Sequence, residues 1–462
     1  ASDVYKRQGT DGIDYMFQAT EGLPIDVRFM LPSCVPATPM DESGANLDYR
    51  AIDSFYDYPR VQGLAEMMNS YGVIHNDPEV VSKIVASQAH HKKIDGHAPG
   101  LQGKDLDTYV AAGVYSDHEC ATLEDALAKL QRGQFIMIRE GTAARNLEAL
   151  VPLLTPQYAE RCMFCTDDKH PSDLLEKGHI DYIAREAINK YGVDPIIAVK
   201  AACHHASRYF LLNNRGAIAP GYLADFAVID NFKDFNVEMV FKKGILYWNN
   251  GELRDFEAPK IEEYLDKRAH DTFHVSTLTP DDFRDTRQRG VLGMVPGEII
   301  TTDNGYADHV DLEKDILKIA VVERHKGTHH IGLGYIQGYG LKSGAVATSI
   351  SHDSHNIIVV GTNSADMAFA ANYIVEHHGG IVVVENGTVK GDVVLEIAGI
   401  MSDRPLTEVN DQLEAAKDAA FTLGVSRGID PFMTLSFMAL PVIPKLRITT
   451  RGVIDVDTQQ YV

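Results

Sequence analysis

The sequence lacks the features that mark membrane, secreted and nucleic-acid-binding proteins. Its 462 residues contain no apolar run of the roughly 18 residues that a membrane span needs, and the longest candidate, residues 432–444, is interrupted by Ser436 and Pro441. No secretory signal is visible, and the five cysteines are scattered and odd in number, which indicates a reducing compartment. A net charge of −22 repels phosphate backbones and anionic membranes. These absences predict a cytoplasmic protein without nucleic-acid or membrane partners.

What the sequence does contain is an alternation of strand-like and helix-like segments over its first 170 residues. The strand-like runs are residues 27–36, 61–68, 93–97, 113–119, 135–141 and 161–167. Strands that alternate with helices form βαβ units and a parallel sheet. The ends of these runs recur every 21 to 31 residues, which favours a (β/α)8 barrel, although six strands are two too few. We expect the first two strands to be missing and residues 1–8, which lack Met and any periodic pattern, to be foreign.

Two further regions follow the alternating segment. A strand and a hairpin closed by Lys243 and Gly244 indicate a small, partial β-sandwich appendix, and mixed strand-like and helix-like runs continue from about residue 273. The predicted domains are a truncated barrel over residues 9–213, the appendix over residues 214–256 and a C-terminal α+β domain over residues 273–462. A charged linker helix is expected between the last two.

Four of the predicted strands end in a residue that can bind a metal ion. These residues are Glu66, His97, His118 and Asp167. In a (β/α)8 barrel the carboxyl ends of the strands converge on the face that carries the active site. Two imidazoles and two carboxylates there suit Zn, Fe or Mn. The alternative for each residue taken alone is an ordinary packed or solvated polar side chain.

A charged pair, Arg139 and Glu140, ends an otherwise apolar strand. Burying charge is costly unless the charge is paired or used, so both residues are candidates for contact with a substrate. The alternative for Arg139 is a salt bridge that ties the barrel together.

A second polar cluster, residues 351–356, lies in the C-terminal domain and contains His352, Asp353 and His355. Its density of polar groups after a strand-like run predicts a lid over the barrel or another metal site. The alternative is a hydrogen-bonded turn.

Several segments together resemble a known family. Residues 219–230 resemble the entry to the β appendix of the amidohydrolase superfamily. Residues 63–68, 95–100, 138–146, 165–168, 351–356 and 439–443 resemble the bacterial adenine deaminase family over essentially the whole chain. The resemblance implies a metal-dependent (β/α)8 hydrolase in which Glu66 bridges two metal ions, His97 and His118 bind the second, and Asp167 binds the first and moves protons.

The resemblance also implies the reaction, in which a metal-activated hydroxide converts adenine to hypoxanthine and ammonia in adenine catabolism. Asp167 and Glu66 are then the catalytic residues, and the metal is a pair of Mn²⁺ ions, with Fe²⁺ or Zn²⁺ as alternatives. The purine contacts would come from Arg139 and Glu140 and from the second cluster, that is, from His352, Asp353 and His355. The expected partners are adenine and a second copy of the chain in a homodimer.

The sequence departs from the family pattern at its beginning. The family has a His-x-His on its first barrel strand and an Asp-Pro-His-Glu on its second, and neither motif occurs here. We therefore expect an incomplete metal site, which leaves turnover by this chain open. Two alternative functions remain: another amidohydrolase that acts on a cyclic amide or an aminated heterocycle, and a non-catalytic fragment that binds metal or purine weakly.

Overall fold

The computed structural model describes residues 8–142, 144–295 and 298–462. The first seven of the residues expected to be foreign, and Ala143 at the start of a helix expected over residues 143–154, lie outside these ranges. The described chain forms two compact units. The parallel-sheet unit comprises residues 20–33 and 48–260, and the C-terminal unit comprises residues 8–19, 34–47 and 261–462. The domain boundaries expected at 213/214 and between 256 and 273 stay predictions.

The parallel-sheet unit contains short parallel strands at the positions that the sequence indicates. The strands are β1 (Phe29–Leu31), β2 (Val61–Met67), β3 (Lys93–Gly96), β4 (Ser116–Asp117), β5 (Phe135–Arg139) and β6 (Cys162–Cys165). Among the described residues they form two three-stranded parallel sheets, of order β1-β2-β3 and β4-β5-β6. The predicted α/β class is confirmed. Most of the strands are shorter than expected.

Helices follow these strands and bury their apolar faces against them. They span Tyr49–Asp53, Ser70–Ile74, Pro78–Ala89, Gly103–Ala111, Leu123–Gln131, Leu147–Leu150, Pro171–Glu176, Ile180–Asn189, Pro195–Val199 and His205–Tyr209. Asp77 caps the third helix, because its Oδ1 accepts the N–H of Glu79 at 2.9 Å, and Pro78 suits the first turn. Gly178, whose φ of +98° a helix cannot contain, separates the Pro171–Glu176 and Ile180–Asn189 helices.

The appendix is an antiparallel sheet within the same unit. Its strands are β7 (Phe226–Ile229), β8 (Val237–Lys242), β9 (Ile245–Asn249) and β10 (Glu252–Leu253), in the order β10-β9-β8-β7. The predicted hairpin is confirmed: Lys243 and Gly244 have φ of +49° and +78°, as a two-residue turn between twisted strands requires.

The C-terminal unit is built on a larger, mostly antiparallel sheet. Its strands are β11 (Arg289–Met294), β12 (Thr301–Ala307), β13 (Ile316–Val322), β14 (Ile331–Gln337), β15 (Ala345–Thr348), β16 (Ile357–Gly361), β17 (Gly380–Glu385) and β18 (Thr388–Val394). They run in the order β12-β11-β14-β13-β16-β15-β17-β18. A second sheet contains β19 (Leu446–Thr449), β20 (Gly452–Asp455) and β21 (Gln460–Tyr461).

Helices complete this unit, and Ser364–Glu376 and Leu406–Thr422 pack against its larger sheet. They span Thr10–Ala19, Glu263–His270, Ser364–Glu376, Leu406–Thr422 and Met433–Met438. The expected linker helix is therefore the shorter Glu263–His270 segment. Both faces of the central strands are apolar: Ile319 and Val360 are fully buried in one apolar cluster, and Ala320 and Val359 are fully buried in another. In the part of the chain that the structure describes, no helix has the length and apolar character needed to cross a bilayer.

Candidate metal centre

The carboxyl ends of β2, β3 and β4 bring three predicted ligands together. Glu66 lies near the end of β2, and His97 and His118 come directly after β3 and β4. His97 Nδ1 is 3.3 Å and His118 Nε2 is 3.1 Å from the same carboxylate oxygen, Oε2 of Glu66. The candidate ligand atoms of the three side chains all lie within 4.8 Å of one another. One divalent ion can therefore reach all three side chains.

A second group of ligands shares His118 with the first. It consists of His118, Glu119 and Asp167, whose ligand atoms also lie within 4.8 Å of one another. Glu119 Oε1 is 3.3 Å from His118 Nε2 and 3.6 Å from His97 Nδ1. Glu119 is missing from the sequence-based prediction, although its place directly after His118 at a strand end is the signal that could have found it.

Arg139 forms ion pairs with two carboxylates of this centre. Its Nη1 is 2.6 Å from Asp167 Oδ2, and its guanidinium forms a bidentate pair with Glu119, in which Nη2 to Oε2 is 3.1 Å. This is the salt-bridge alternative for Arg139, and contact with a purine stays a prediction. Asp167 itself has a φ of +58°, a costly conformation for a non-glycine residue of the kind that concentrates at functional sites.

The charges of the centre hold one another in the ionised state. Desolvation acts against ionisation of Glu66 and of Glu119. The neighbouring His118 and His97 nevertheless hold the pKa of Glu66 well below its usual range, and the histidines with Arg139 lower the pKa of Glu119 to about 2. Burial likewise disfavours a charged His118, but the neighbouring Glu66 and Glu119 raise its pKa to about 10. Desolvation and the adjacent Asp168 raise the pKa of Asp167 above its ordinary value.

The donor set fits a divalent metal ion. His97 is 8% exposed, and among the described residues neither of its ring nitrogens has a hydrogen-bond partner. A buried imidazole normally satisfies at least one of its nitrogens, so a ring without such a bond beside two carboxylates has the character of a ligand. Mixed imidazole and carboxylate donors suit Zn, Fe and Mn. Glu66, His97 and His118 are therefore the residues that would hold the ion.

The backbone around these ligands is fixed by buried side chains. The Tyr109 hydroxyl accepts the N–H of His97 at 3.0 Å and donates to the Met67 carbonyl at 2.7 Å, which ties the end of β3 to the end of β2. Asn146 Nδ2 donates to the carbonyl of His118 at 3.2 Å. Gly96 is needed before His97, because a Cβ there would collide with the carbonyl of Ser116 on β4.

Glu140 lies apart from this cluster. Side chains alternate along a strand, so Glu140 and Arg139 point to opposite sides of the chain. Glu140 Oε1 accepts the N–H of Leu147 at 3.2 Å and so supports the start of the following helix. Contact of Glu140 with a substrate stays a prediction.

The second polar cluster belongs to the C-terminal unit and is extensively bonded there. His355 Nδ1 accepts the N–H of Ser351 at 3.2 Å, and the ring of His352 stacks on Phe437 with centroids 5.0 Å apart. His352 Nδ1 is 3.7 Å from Asp353 Oδ1. These contacts are those of the hydrogen-bonded turn that was the alternative, and contact of His352, Asp353 or His355 with a substrate stays a prediction.

The comparisons with known proteins decide the family. Residues 1–246 match the amidohydrolase family, and residues 298–460 match the adenine deaminase C-terminal domain. An adenine deaminase of Desulfatibacillum aliphaticivorans is 45% identical over 100% of this chain and 81% of its own length. This chain belongs to the adenine deaminase family. Another adenine deaminase, of Nitratidesulfovibrio vulgaris strain DP4, is 44% identical over 98% of this chain and 80% of its own length.

Membership of the adenine deaminase family confirms the resemblance expected from the sequence and makes the chain a metal-dependent hydrolase of C–N bonds. A solved β-aspartyl dipeptidase of Fervidobacterium islandicum AW-1 is 17% identical, with a TM-score of 0.35 over 45% of this chain and 62% of that chain. The predicted ligands Glu66, His97 and His118 lie within the segment matched to the amidohydrolase family.

Proposed function

We propose that this chain catalyses the hydrolytic deamination of adenine to hypoxanthine and ammonia. Water supplies the oxygen that bonds to C6 of the purine, the C6–N bond to the amino group breaks, and the amino group leaves as ammonia. The observation that carries the proposal is the convergence of Glu66, His97 and His118 beside Asp167 in a chain of the adenine deaminase family.

The metal contributes one kind of chemistry to this reaction. A divalent ion held by Glu66, His97 and His118 would lower the pKa of a coordinated water toward ~7, so that hydroxide is available at neutral pH. The sequence resemblance favours Mn²⁺, and the donor set also suits Fe²⁺ or Zn²⁺.

Asp167 is the proposed proton carrier. The carboxylate that accepts a proton from the attacking water must later release it to the leaving amino group, and a raised pKa favours both steps near neutral pH. Desolvation and Asp168 raise the pKa of Asp167, while the contact of Arg139 Nη1 with Oδ2 at 2.6 Å fixes that oxygen. The other oxygen of Asp167, Oδ1, would then accept and release the proton. Glu66 would assist from its position between the two imidazoles.

The test is product formation from adenine by the purified chain with Mn²⁺. Ammonia and hypoxanthine should appear in equal amounts, and Asp167→Asn should slow their formation by roughly 10²- to 10⁴-fold, the usual range for a general acid–base. Asp105→Asn, which changes an exposed carboxylate, is the matched control and should be neutral. Activity on a cyclic amide or another aminated heterocycle, with none on adenine, would favour the alternative amidohydrolase function.

A second candidate function is metal binding without turnover. It is favoured by one sequence observation: no His-x-His motif occurs before His97. Mn²⁺ binding by the chain together with no product from adenine would support this candidate.

We further propose a homodimer in the cytoplasm, and light scattering at micromolar protein concentration tests the dimer.

A further inference from the structure

A buried charged pair lies directly behind the metal ligands. Asp117 on β4 and Lys129 on the Leu123–Gln131 helix both have side chains that are 0% exposed, and Lys129 Nζ is 3.3 Å from Asp117 Oδ2. Lys129 Nζ is also 3.0 Å from Asp125 Oδ2. Neither Asp117 nor Lys129 has a part in the reaction proposed above.

These two side chains bind the backbone next to both histidine ligands. Asp117 Oδ2 accepts the N–H of Ala98 at 2.9 Å, and Lys129 Nζ donates to the carbonyl of Ala98 at 2.8 Å. Ala98 directly follows His97. On the other strand, Asp117 Oδ1 accepts the N–H of Glu119, which directly follows His118, at 2.7 Å. One carboxylate therefore joins the two chain segments that carry the histidines, and the lysine closes the arrangement on the side of Ala98.

Stability alone does not account for a charged pair at this depth. Two ions lose their hydration on burial, and a buried pair is often no more stabilising than apolar residues of the same size. Burial alone would lower the pKa of Lys129, but Asp117 and the other neighbouring groups hold that pKa above its usual value, so the ammonium stays charged. The pair is fully buried and charged, and its hydrogen bonds end on the backbone next to the histidine ligands. Such a pair is suited to fixing the positions of these histidines.

We propose that Asp117 and Lys129 act as a positioning pair that sets the separation of His97 and His118 for metal binding. This inference rests on the metal site of the proposed function. Replacing a residue that orients a metal ligand typically lowers metal affinity by about 10- to 100-fold. We therefore expect changes at Asp117 or Lys129 to alter the affinity for the metal and the geometry of its ligands.

The test measures Mn²⁺ binding and the visible spectrum of bound Co²⁺ in the full chain. Asp117→Asn and Lys129→Met are each expected to raise the dissociation constant of Mn²⁺ by about 10- to 100-fold and to shift the Co²⁺ bands. The double variant should bind Mn²⁺ no more weakly than the weaker-binding single variant, because the two residues act as one unit. Lys318→Met is the matched control, since Lys318 is a buried lysine that donates to the Phe283 carbonyl at 2.9 Å in the C-terminal unit.

The control variant should melt at a lower temperature but keep its Mn²⁺ affinity within about twofold of the parent, which separates positioning from general stability. Should Lys129→Met fail to fold, the isosteric Asp117→Asn variant decides the question. Folded Asp117→Asn protein with unchanged Mn²⁺ affinity and an unchanged Co²⁺ spectrum would overturn the proposal. If the parent chain binds no Mn²⁺, the metal site itself is contradicted, and the positioning role is contradicted with it.

Discussion

The two units of this chain use buried polar groups in different ways. In the parallel-sheet unit, charged side chains meet at strand ends and neutralise one another: Arg139 pairs with Glu119 and Asp167, and His118 contacts Glu66. In the C-terminal unit, the fully buried Arg324 binds neutral backbone carbonyls instead. The first arrangement concentrates charge that a metal ion can use, whereas the second holds chain segments together around an apolar sheet.

The same difference appears in the strands. The predicted ligands Glu66, His97 and His118 lie near or just beyond the ends of β2, β3 and β4. β13, β15, β16 and β17 are apolar over nearly their whole length. This difference is consistent with the proposed metal centre at the strand ends of the parallel-sheet unit.

The largest expected effect comes from breaking the charged arrangement at Arg139. Arg139→Met leaves the carboxylates of Glu119 and Asp167 without their cation and should lower the free energy of unfolding by about 3–5 kcal/mol in metal-free protein. Mn²⁺ should restore part of this loss, because a cation can replace the guanidinium charge. Urea unfolding with EDTA and with Mn²⁺ measures both effects. Arg132→Met, which breaks the more exposed pair with Asp107, is the control and should cost less than about 1 kcal/mol.

Arg324→Met makes the corresponding change in the C-terminal unit. The guanidinium donates to the carbonyls of Thr272 at 3.1 Å and Ala398 at 2.7 Å and lies 4.1 Å from the ring centroid of Phe273. Leaving buried carbonyls without donors should cost about 3 kcal/mol. Because the carbonyls that lose their donor are neutral, added Mn²⁺ should not reduce this loss. A metal-dependent recovery equal to that of Arg139→Met would remove the distinction between the two units.

Truncation of the cores should affect the two units equally. Ile138 on β5 and Ile319 on β13 are both fully buried in apolar clusters. Replacement of either by Val removes one methylene group and should cost about 1 kcal/mol. Hydrogen exchange of peptides from each strand reports the local loss. A cost several times larger at one site would mean that the apolar packing, and not the polar groups, distinguishes the units.

The smallest effect concerns pH and the appendix. Burial opposes ionisation of Asp225, but hydrogen bonds from Arg215 and Lys242 lower its pKa to about 2 in the folded chain. Because this value lies below the unfolded pKa of about 3.9, the carboxylate contributes stability above pH ~4 and loses that contribution as the pH falls toward 2. Asp225→Asn should cost about 1 kcal/mol at pH 7 and almost nothing at pH 2. Urea unfolding between these pH values tests the prediction, and an equal cost at both ends would contradict it.

Much of the parallel-sheet unit could be predicted from its sequence. Apolar runs bounded by polar residues located β1 to β6, and the ligand types at their ends located Glu66, His97 and His118. Contacts between distant segments could not be predicted in the same way. The sequence allowed Arg139 either to contact a substrate or to form a salt bridge. Its pairing with Glu119 became visible only in the structure, where β4 and β5 lie side by side.

The C-terminal unit was less predictable for a physical reason. β14 has the sequence Ile-Gly-Leu-Gly-Tyr-Ile-Gln, in which glycines mask the strand pattern. Gly332 is required because a Cβ there would collide with the carbonyl of Thr449, more than 100 residues further along the chain. Such a requirement for a small residue arises from tertiary packing, so no local pattern indicates it.

The most direct test of the metal centre compares two carboxylates of the parallel-sheet unit. Glu66 faces His97 and His118, whereas Glu140 supports the start of a helix. The parent chain should bind Mn²⁺ tightly. Binding should be lost in Glu66→Gln and retained in Glu140→Gln. Equal Mn²⁺ affinity in Glu66→Gln and the parent, or equal loss in both variants, would contradict a metal centre at the strand ends.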